Sequence, residues 1–559
     1  MQFKQTVLRL TLILLPVTGF SQSAFLAQGD KQKILAERWE ILARTDSAFN
    51  FSKSGPLNRA DLVFAARRYV STHPLQHAAD KYNYQSLLLN NLEYLPAAER
   101  AALGSRKPIG KNFYTTPASL FEVHVKDFDL SINPVIQYVL SKEKGSDEKL
   151  FLNTRGLALR GQISNKIGFA AYVTDNQERD ASYVRDWTNV RKAVPGVGFY
   201  KQFKTNGYDY FDARGYITFS AAKYIHMAFG YDKNTIGNGY RSMFLGESVA
   251  PALFFKINTR IWKFNYQNLF MELQSAHIPG GDKLVPKKYA AMHHLDVAFT
   301  KWLNVGLFEG VIFGRKDHFD FGYLNPVIFY RSIEQQNGSF DNSVVGLDAK
   351  ANLPHGVQLY GQLMLDEFLL SEIKKNRGWW ANKWGIQLGA KYIDAFGIKN
   401  LDLQVEHNRV RPFTYSHRDS VANYTHYNQP LAHPLGANFK EFIGVARYQP
   451  VPQWMAVAKL IFYQQGRDSS ARNFGSNILL PNEPPYRVGD FGYNIGSGQQ
   501  TNVMSASFLL SYEWKQNFFL ELQALYRKQD VKTAPVSSAS STVLSFGVRW
   551  NMHRRDFDY

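Results

Sequence analysis

From about residue 121 to the C-terminus, apolar and polar residues alternate with a period of two. Nowhere does the chain supply the run of about 18 apolar residues that a membrane helix needs. KYIHMAFGYD sets Ile225, Met227, Phe229 and Tyr231 against Tyr224, His226, Ala228 and Gly230. KWGIQLGAKYI sets Trp384, Ile386, Leu388, Ala390 and Tyr392 against Gly385, Gln387, Gly389 and Lys391. SFLLSYEW and NFFLELQALYR alternate on either side of a short KQ turn and read as a hairpin. The last such segment, VLSFGVRWNM, opposes Leu544, Phe546, Val548, Trp550 and Met552 to Ser545, Gly547, Arg549 and Asn551. One face of each is apolar and ends in Trp or Tyr, while the other is small, polar or charged. A soluble sandwich turns its apolar faces inward and has little use for terminal aromatics. A lipid-embedded barrel turns them outward and uses the aromatics as girdles at the two interfaces. The expectation is an all-β transmembrane barrel of roughly 16 to 18 antiparallel strands, with Phe229, Leu388 and Phe546 facing lipid.

Composition agrees. Aromatics make up 15% of the chain, with 41 Phe and 31 Tyr, yet mean hydropathy is −0.32. The absence of cysteine excludes disulfides, thiolate metal sites and cysteine nucleophiles. MQFKQTVLR followed by LTLILLPVTGF has the basic start and short apolar run of a signal peptide, expected to be cleaved after residue 22. The formal charge is +18, or +16 once Lys4 and Arg9 have left with that peptide. Such an excess suits either a basic lumen or attraction to acidic polysaccharide and lipid phosphates. The charge is scattered and no recognition motif is present, so nucleic acid is not an expected partner.

Residues 23–117 are expected to form a separate helical region, with helical spacing from about Gly29 to Pro96. KILAERWEILAR places Leu35, Trp39 and Leu42 on one helical face, and Asn58 stands at an N-cap position before Leu62, Ala65 and Tyr69. A third segment aligns Tyr84, Leu88, Leu92 and Leu95 before Pro96. Short amphipathic helices bury little alone, so this region should form a small helical bundle packed on the periplasmic side of the barrel, residues 118–559.

The stretch YTHYNQPLAHPLG (424–436) and the RPFTYSH upstream concentrate groups able to do chemistry. Tyr415, Tyr424 and Tyr427 offer stacking faces, and His417, His426, Asn428 and His433 offer hydrogen bonds to hydroxyls. A histidine metal site is the alternative, but the spacing is not that of a metal pair. The expectation is a loop that caps or constricts the barrel and can contact a ligand, with no metal and no cofactor. IGNGYRS reads as a hairpin turn that brings Arg241 to the mouth or lumen and adds it to the ligand set. Strand carboxylates and arginines form a second group: Glu309, Glu334, Asp366 and Glu406 with Arg155, Arg214, Arg315 and Arg331. They are expected to pair in the lumen, since charges at low dielectric need partners. A glycosidase would use two such carboxylates, but adjacent Asp366 and Glu367 point apart on a regular strand. No nucleophile elbow, zinc helix or phosphate loop is present, so no enzyme is expected.

The strings FLNTRGLALRGQI (151–163), FDARGYITF (211–219), IGNGYRSMFL (236–245), PKKYAAMHHL (286–295), GLFEGVIFGR (306–315), YLNPVIFYRSIEQ (323–335) and YGQLMLDEF (360–368) occur in that order, before the 424–436 stretch. With the helical N-terminal region they resemble the RemB-type gliding-motility outer-membrane proteins of Bacteroidetes, related to the Wzi capsule-assembly family. The resemblance implies an outer-membrane barrel with a periplasmic helical bundle. In one branch it implies binding of surface polysaccharide without catalysis, and in the other a surface contribution to gliding or adhesin attachment. The GYRS string (239–242) is intact, whereas the long histidine-bearing segment after Arg411 departs from the Wzi branch. An outer-membrane channel, or an accessory subunit of a secretion machine, is the competing expectation.

Overall fold

The computed structural model describes residues 23–46, 48–275, 284–469 and 472–559. The expected signal peptide lies outside them. Eighteen long antiparallel strands close into one barrel. The first six are β1 (Phe128–Glu143), β2 (Leu150–Ile163), β3 (Ile167–Arg179), β4 (Gly207–Ala222), β5 (Ile225–Asp232) and β6 (Ala252–Ile261). The wall continues through β7 (Phe264–Gln274), β8 (Lys287–Ala298), β9 (Leu303–Phe313), β10 (Asn342–Leu353), β11 (Val357–Glu367) and β12 (Lys383–Tyr392). It ends with β13 (Leu401–Val410), β14 (Phe439–Val451), β15 (Trp454–Arg467), β16 (Gln499–Lys515), β17 (Phe518–Val531) and β18 (Ser537–Trp550). Pairing of β18 with β1 removes every sheet edge. A short strand, Phe121–Val125, pairs with the start of β1 and continues the line of β18.

The alternation sorts the side chains as a membrane barrel requires. Phe229, Leu388 and Phe546 are 48%, 60% and 52% exposed on the outer wall. Their strand neighbours Ala228, Gln387 and Arg549 are buried on the lumen side. Turns of two to eight residues join the strands at one end and, for the most part, much longer loops join them at the other. Trp262, Trp454, Trp514 and Trp550 crowd the short-turn end, where Trp514 and Trp550 both pack edge-on against Phe518. That is an interfacial girdle.

The N-terminal region forms helices α1 (Lys31–Ala43), α2 (Arg59–Thr72), α3 (Ala78–Leu89) and α4 (Ala97–Ala102). The Asn58 side chain caps α2 by accepting from the Asp61 N–H at 3.1 Å. Leu35, Trp39, Leu62, Val63 and Leu87 share one small core. Leu42, expected on that face, is exposed. The bundle sits in the short-turn mouth. Asn83 bonds Gln449, and Ser86 donates to Gln516 at 2.8 Å, both beside short turns.

Candidate functional site

The lumen is occupied from both ends, and the two fillings differ in chemistry. At the short-turn end the helices lock to the wall by ion pairs. Arg38 joins Asp394 at 2.9 Å and also reaches Asp402, Lys350 joins Glu40, and Lys391 joins Glu37 at 3.3 Å. Lys53 reaches between Asp348 and Asp296, and Asp348 also accepts from His294 at 2.7 Å. Burial alone would lower the Lys53 ammonium, but the two aspartates outweigh it and hold it above its ordinary value.

At the long-loop end two loops fold inward. Residues 233–251, which include IGNGYRS, make no tight hairpin. The backbone there passes so close to Glu406 that a side chain on Gly239 would collide with the carboxylate. Glu406 accepts the Tyr240 N–H at 2.6 Å, the Arg241 N–H at 3.0 Å and the Tyr360 hydroxyl at 2.8 Å. Residues 411–438 lie over this loop. Tyr415 and Tyr424 donate their hydroxyls to the carbonyls of Met243 and Phe244 at 2.9 and 2.8 Å. His426 accepts from the Gln274 N–H at Nδ1, so its Nε2–H donates to the Pro251 carbonyl. His433 accepts from the Leu435 N–H at one nitrogen and bonds Glu441 at 2.7 Å with the other. Burial holds the His433 imidazole below its ordinary value against the pull of Glu441.

The eight ligand candidates are therefore placed as follows. Tyr415, Tyr424, His426 and His433 are fully buried, and Arg241 is tied to Glu441. His417, Tyr427 and Asn428 retain partial access; Asn428 donates to the Arg191 carbonyl. The histidines do not converge, and among the described residues no three metal-ligating side chains cluster.

Of the eight residues expected in a lumen network, Arg214, Asp366 and Glu406 face inward. Arg214 forks onto Asp212. Asp366 accepts the Tyr415 N–H, and a bulge between Leu365 and Glu367 lets both carboxylates approach Lys383. The other five lie elsewhere. Arg155 is exposed on the outer wall with Asp175 at 3.1 Å, because it shares its strand face with Leu157 and Leu159. Glu309 is also on the outer wall, bonded to His293 at 2.7 Å. It is buried by residues 314–341, which fold back over that wall and contain helix α5 (Tyr330–Gln336). Arg315, Arg331 and Glu334 belong to the same segment, with Arg315 on Asp341 and Arg331 on Glu334.

Two features escaped the sequence reading. After Trp550 the last nine residues turn back into the lumen. Arg554 bonds Glu521, Arg555 lies 3.2 Å from Glu178, and Asp556 and Asp558 flank Lys459 at 3.0 and 2.6 Å. Tyr559 ends against Trp187, ring centroids 5.0 Å apart. Beside the tail is a cavity of about 550 Å3, lined among others by Phe25, Arg160, Arg214, Tyr240 and Lys233. Burial, with Arg214 near, pushes the Lys233 ammonium down to about 7. The charge density of RRDFDY was the available signal for this tail. The second feature is an aromatic–arginine cluster on the long loops. Arg487 lies 4.2 Å from the Trp380 ring centre, and Arg377 lies 4.1 Å from that of Phe491. Arg411 holds the carbonyls of Trp379 and Tyr493 at 3.0 and 2.9 Å. Tyr486 and Phe491 are exposed beside them. The pieces come from loops some hundred residues apart, 368–382 and 468–498, so no local string announces the cluster.

Comparison with known proteins bears on this arrangement. The family model described as capsule assembly protein Wzi matches residues 145–542. The structure is similar to that of Wzi from Escherichia coli, described as an outer-membrane, carbohydrate-binding β-barrel involved in group 1 capsule assembly. That likeness has a TM-score of 0.57 at 13% identity and covers 95% of this chain and 100% of that one. OprD of Pseudomonas aeruginosa matches with a TM-score of 0.39 at 11% identity over 81% of this chain and 98% of the other. No curated protein matches the sequence.

Proposed function

This chain belongs to the Wzi capsule-assembly family, and from that premise we propose that it is an outer-membrane barrel that binds surface polysaccharide at its long-loop end without catalysis. The observation that carries the reading is the Trp379–Trp380–Phe491–Tyr486 surface with its arginines, set above a lumen filled by helices, tail and cap. Aromatic faces stack on the C–H faces of sugar rings, and guanidinium groups fork onto uronate or phosphate oxygens. The half-accessible His417, Tyr427 and Asn428 lie at the same long-loop end, while the buried Tyr415, Tyr424, His426, His433 and Arg241 hold the cap beneath it. In this orientation the short turns and helices face the periplasm, after removal of residues 1–22. The string-level likeness to RemB-type proteins supports a part in surface gliding or adhesin attachment through the bound glycan.

The test is binding of acidic capsular polysaccharide to the purified full-length barrel, compared with a Trp379→Ala, Trp380→Ala variant. Loss of two stacking faces should weaken binding about tenfold or more. Unchanged binding would remove the rim from consideration, and stable ion currents through the wild-type barrel in planar bilayers would favour a channel instead.

A further inference from the structure

Strands β7, β8 and β9 break the rule that the outer wall of a membrane barrel is apolar. Asn268, His293 and Glu309 stand side by side in register on the outward face at mid-strand. One step toward the short turns come Tyr266, Leu295 and Leu307, which restore the apolar pattern. Ionisable groups on the lipid face near the bilayer midplane are costly. All three polar residues are nevertheless buried, and what buries them is the segment 314–341. The Tyr330 ring stacks on His293 with centroids 4.0 Å apart, and the Tyr330 N–H donates to Glu309 at 2.9 Å. Deeper still, the Pro326 carbonyl accepts the Tyr266 hydroxyl at 2.7 Å. Tyr266 is only two residues from the start of β7 at the short-turn end.

The segment thus leaves the long-loop end, descends most of the wall and returns. Its polarity follows that path. Lys316 and Asn337, near its two ends, are exposed and polar, and the Lys287 N–H at the top of β8 donates to Asp317. At its deepest turn the outward side chains are Val327 and Phe329, which are 81% and 69% exposed, and Phe321, higher on the descending arm beside Phe319, is 79% exposed. They continue the belt formed on the neighbouring wall by Leu307, Val345 and Leu347.

We propose that residues 314–341 are a membrane-embedded strap, not an extracellular loop: they seal a polar patch of the barrel wall, and their apolar turn is solvated by the acyl chains of the bilayer. The natural absence of cysteine makes the test direct. Single cysteines are placed at Lys316, Asn337, Val327 and Phe329 of the full-length chain in intact outer membranes and exposed to a bulky membrane-impermeant maleimide. Barrel folding is verified for each variant by heat-modifiable gel mobility. Cysteines at 316 and 337 should label, whereas those at 327 and 329 should not. The same two deep cysteines, carrying bimane in liposomes, should be quenched by brominated acyl chains. Labelling at 327 and 329 as fast as at 316 and 337 overturns the proposal. So does protection accompanied by disulfide-linked dimers through either cysteine and no quenching, which would put a second copy on this face.

Discussion

The two ends of the lumen are sealed by different physics. The helical plug meets the wall through buried or half-buried ion pairs, Lys53 with Asp348 and Asp296, Arg38 with Asp394 and Asp402, and Lys391 with Glu37. The cap relies more on hydroxyl bonds to backbone carbonyls and on stacked rings, such as Tyr415 on Tyr424 at 5.4 Å, with the buried Asp366, Glu441 and Lys288 as its charged partners. Charge pairs suit an element that folds locally and then docks, because they fix its register even though their net stabilisation is modest. A loop without secondary structure of its own has its many backbone groups to satisfy, and hydroxyl and imidazole groups do much of that, joined by a few buried charges such as Lys288 on the Asn423 carbonyl.

The largest effect expected from breaking this contrast is on the plug. Asp348→Asn combined with Asp296→Asn leaves the buried Lys53 ammonium without a carboxylate partner. It should cost about 3–5 kcal/mol, read as an earlier thermal unfolding transition in detergent. At the cap, Tyr424→Phe leaves the buried Phe244 carbonyl without its donor. The expected loss is about 1–3 kcal/mol, seen as faster hydrogen exchange confined to residues 411–438 and unaltered by salt. A smaller, pH-dependent effect should appear in the tail between plug and cap. Burial pushes the His553 imidazole down to about 4, with Asp30 opposing and Arg59, Arg549 and Arg214 assisting. An undocked tail titrates at its ordinary value, so the docked state is fully favoured above about pH 6.5. That advantage is lost as pH falls from 6.5 toward 4, and below 4 no further change follows. Protease access to a C-terminal epitope should rise across that window, and His553→Leu should flatten it. The smallest change is expected from Arg155→Ala, which removes an exposed pair with Asp175 worth at most about 1 kcal/mol; equilibrium unfolding should barely move.

Much of this molecule is legible in its residues, and strand parity places even charges that a polar lumen would be expected to collect. Glu309 shares its face with Leu307 and Val311, and Arg155 shares its face with Leu157 and Leu159. Strict parity places both on the outer wall, against the expectation that strand charges pair in the lumen. By the same parity His294, Asp296, Asp348 and Lys350 face inward, and they do. The cap expected at 424–436 is present, and its tyrosines and histidines mostly point into protein. A period-two pattern says nothing about irregular segments, so it was silent on where those rings would end.

Local periodicity was enough to determine closed strands, an apolar outside, a polar inside and a separate helical region, because side-chain direction in a strand depends only on counting. Which loops fold inward, where the C-terminal tail docks, and what covers Asn268, His293 and Glu309 were decided by tertiary structure alone. Those outcomes depend on contacts between segments tens to hundreds of residues apart, where charge, shape and access to lipid select the partner and no local pattern records it.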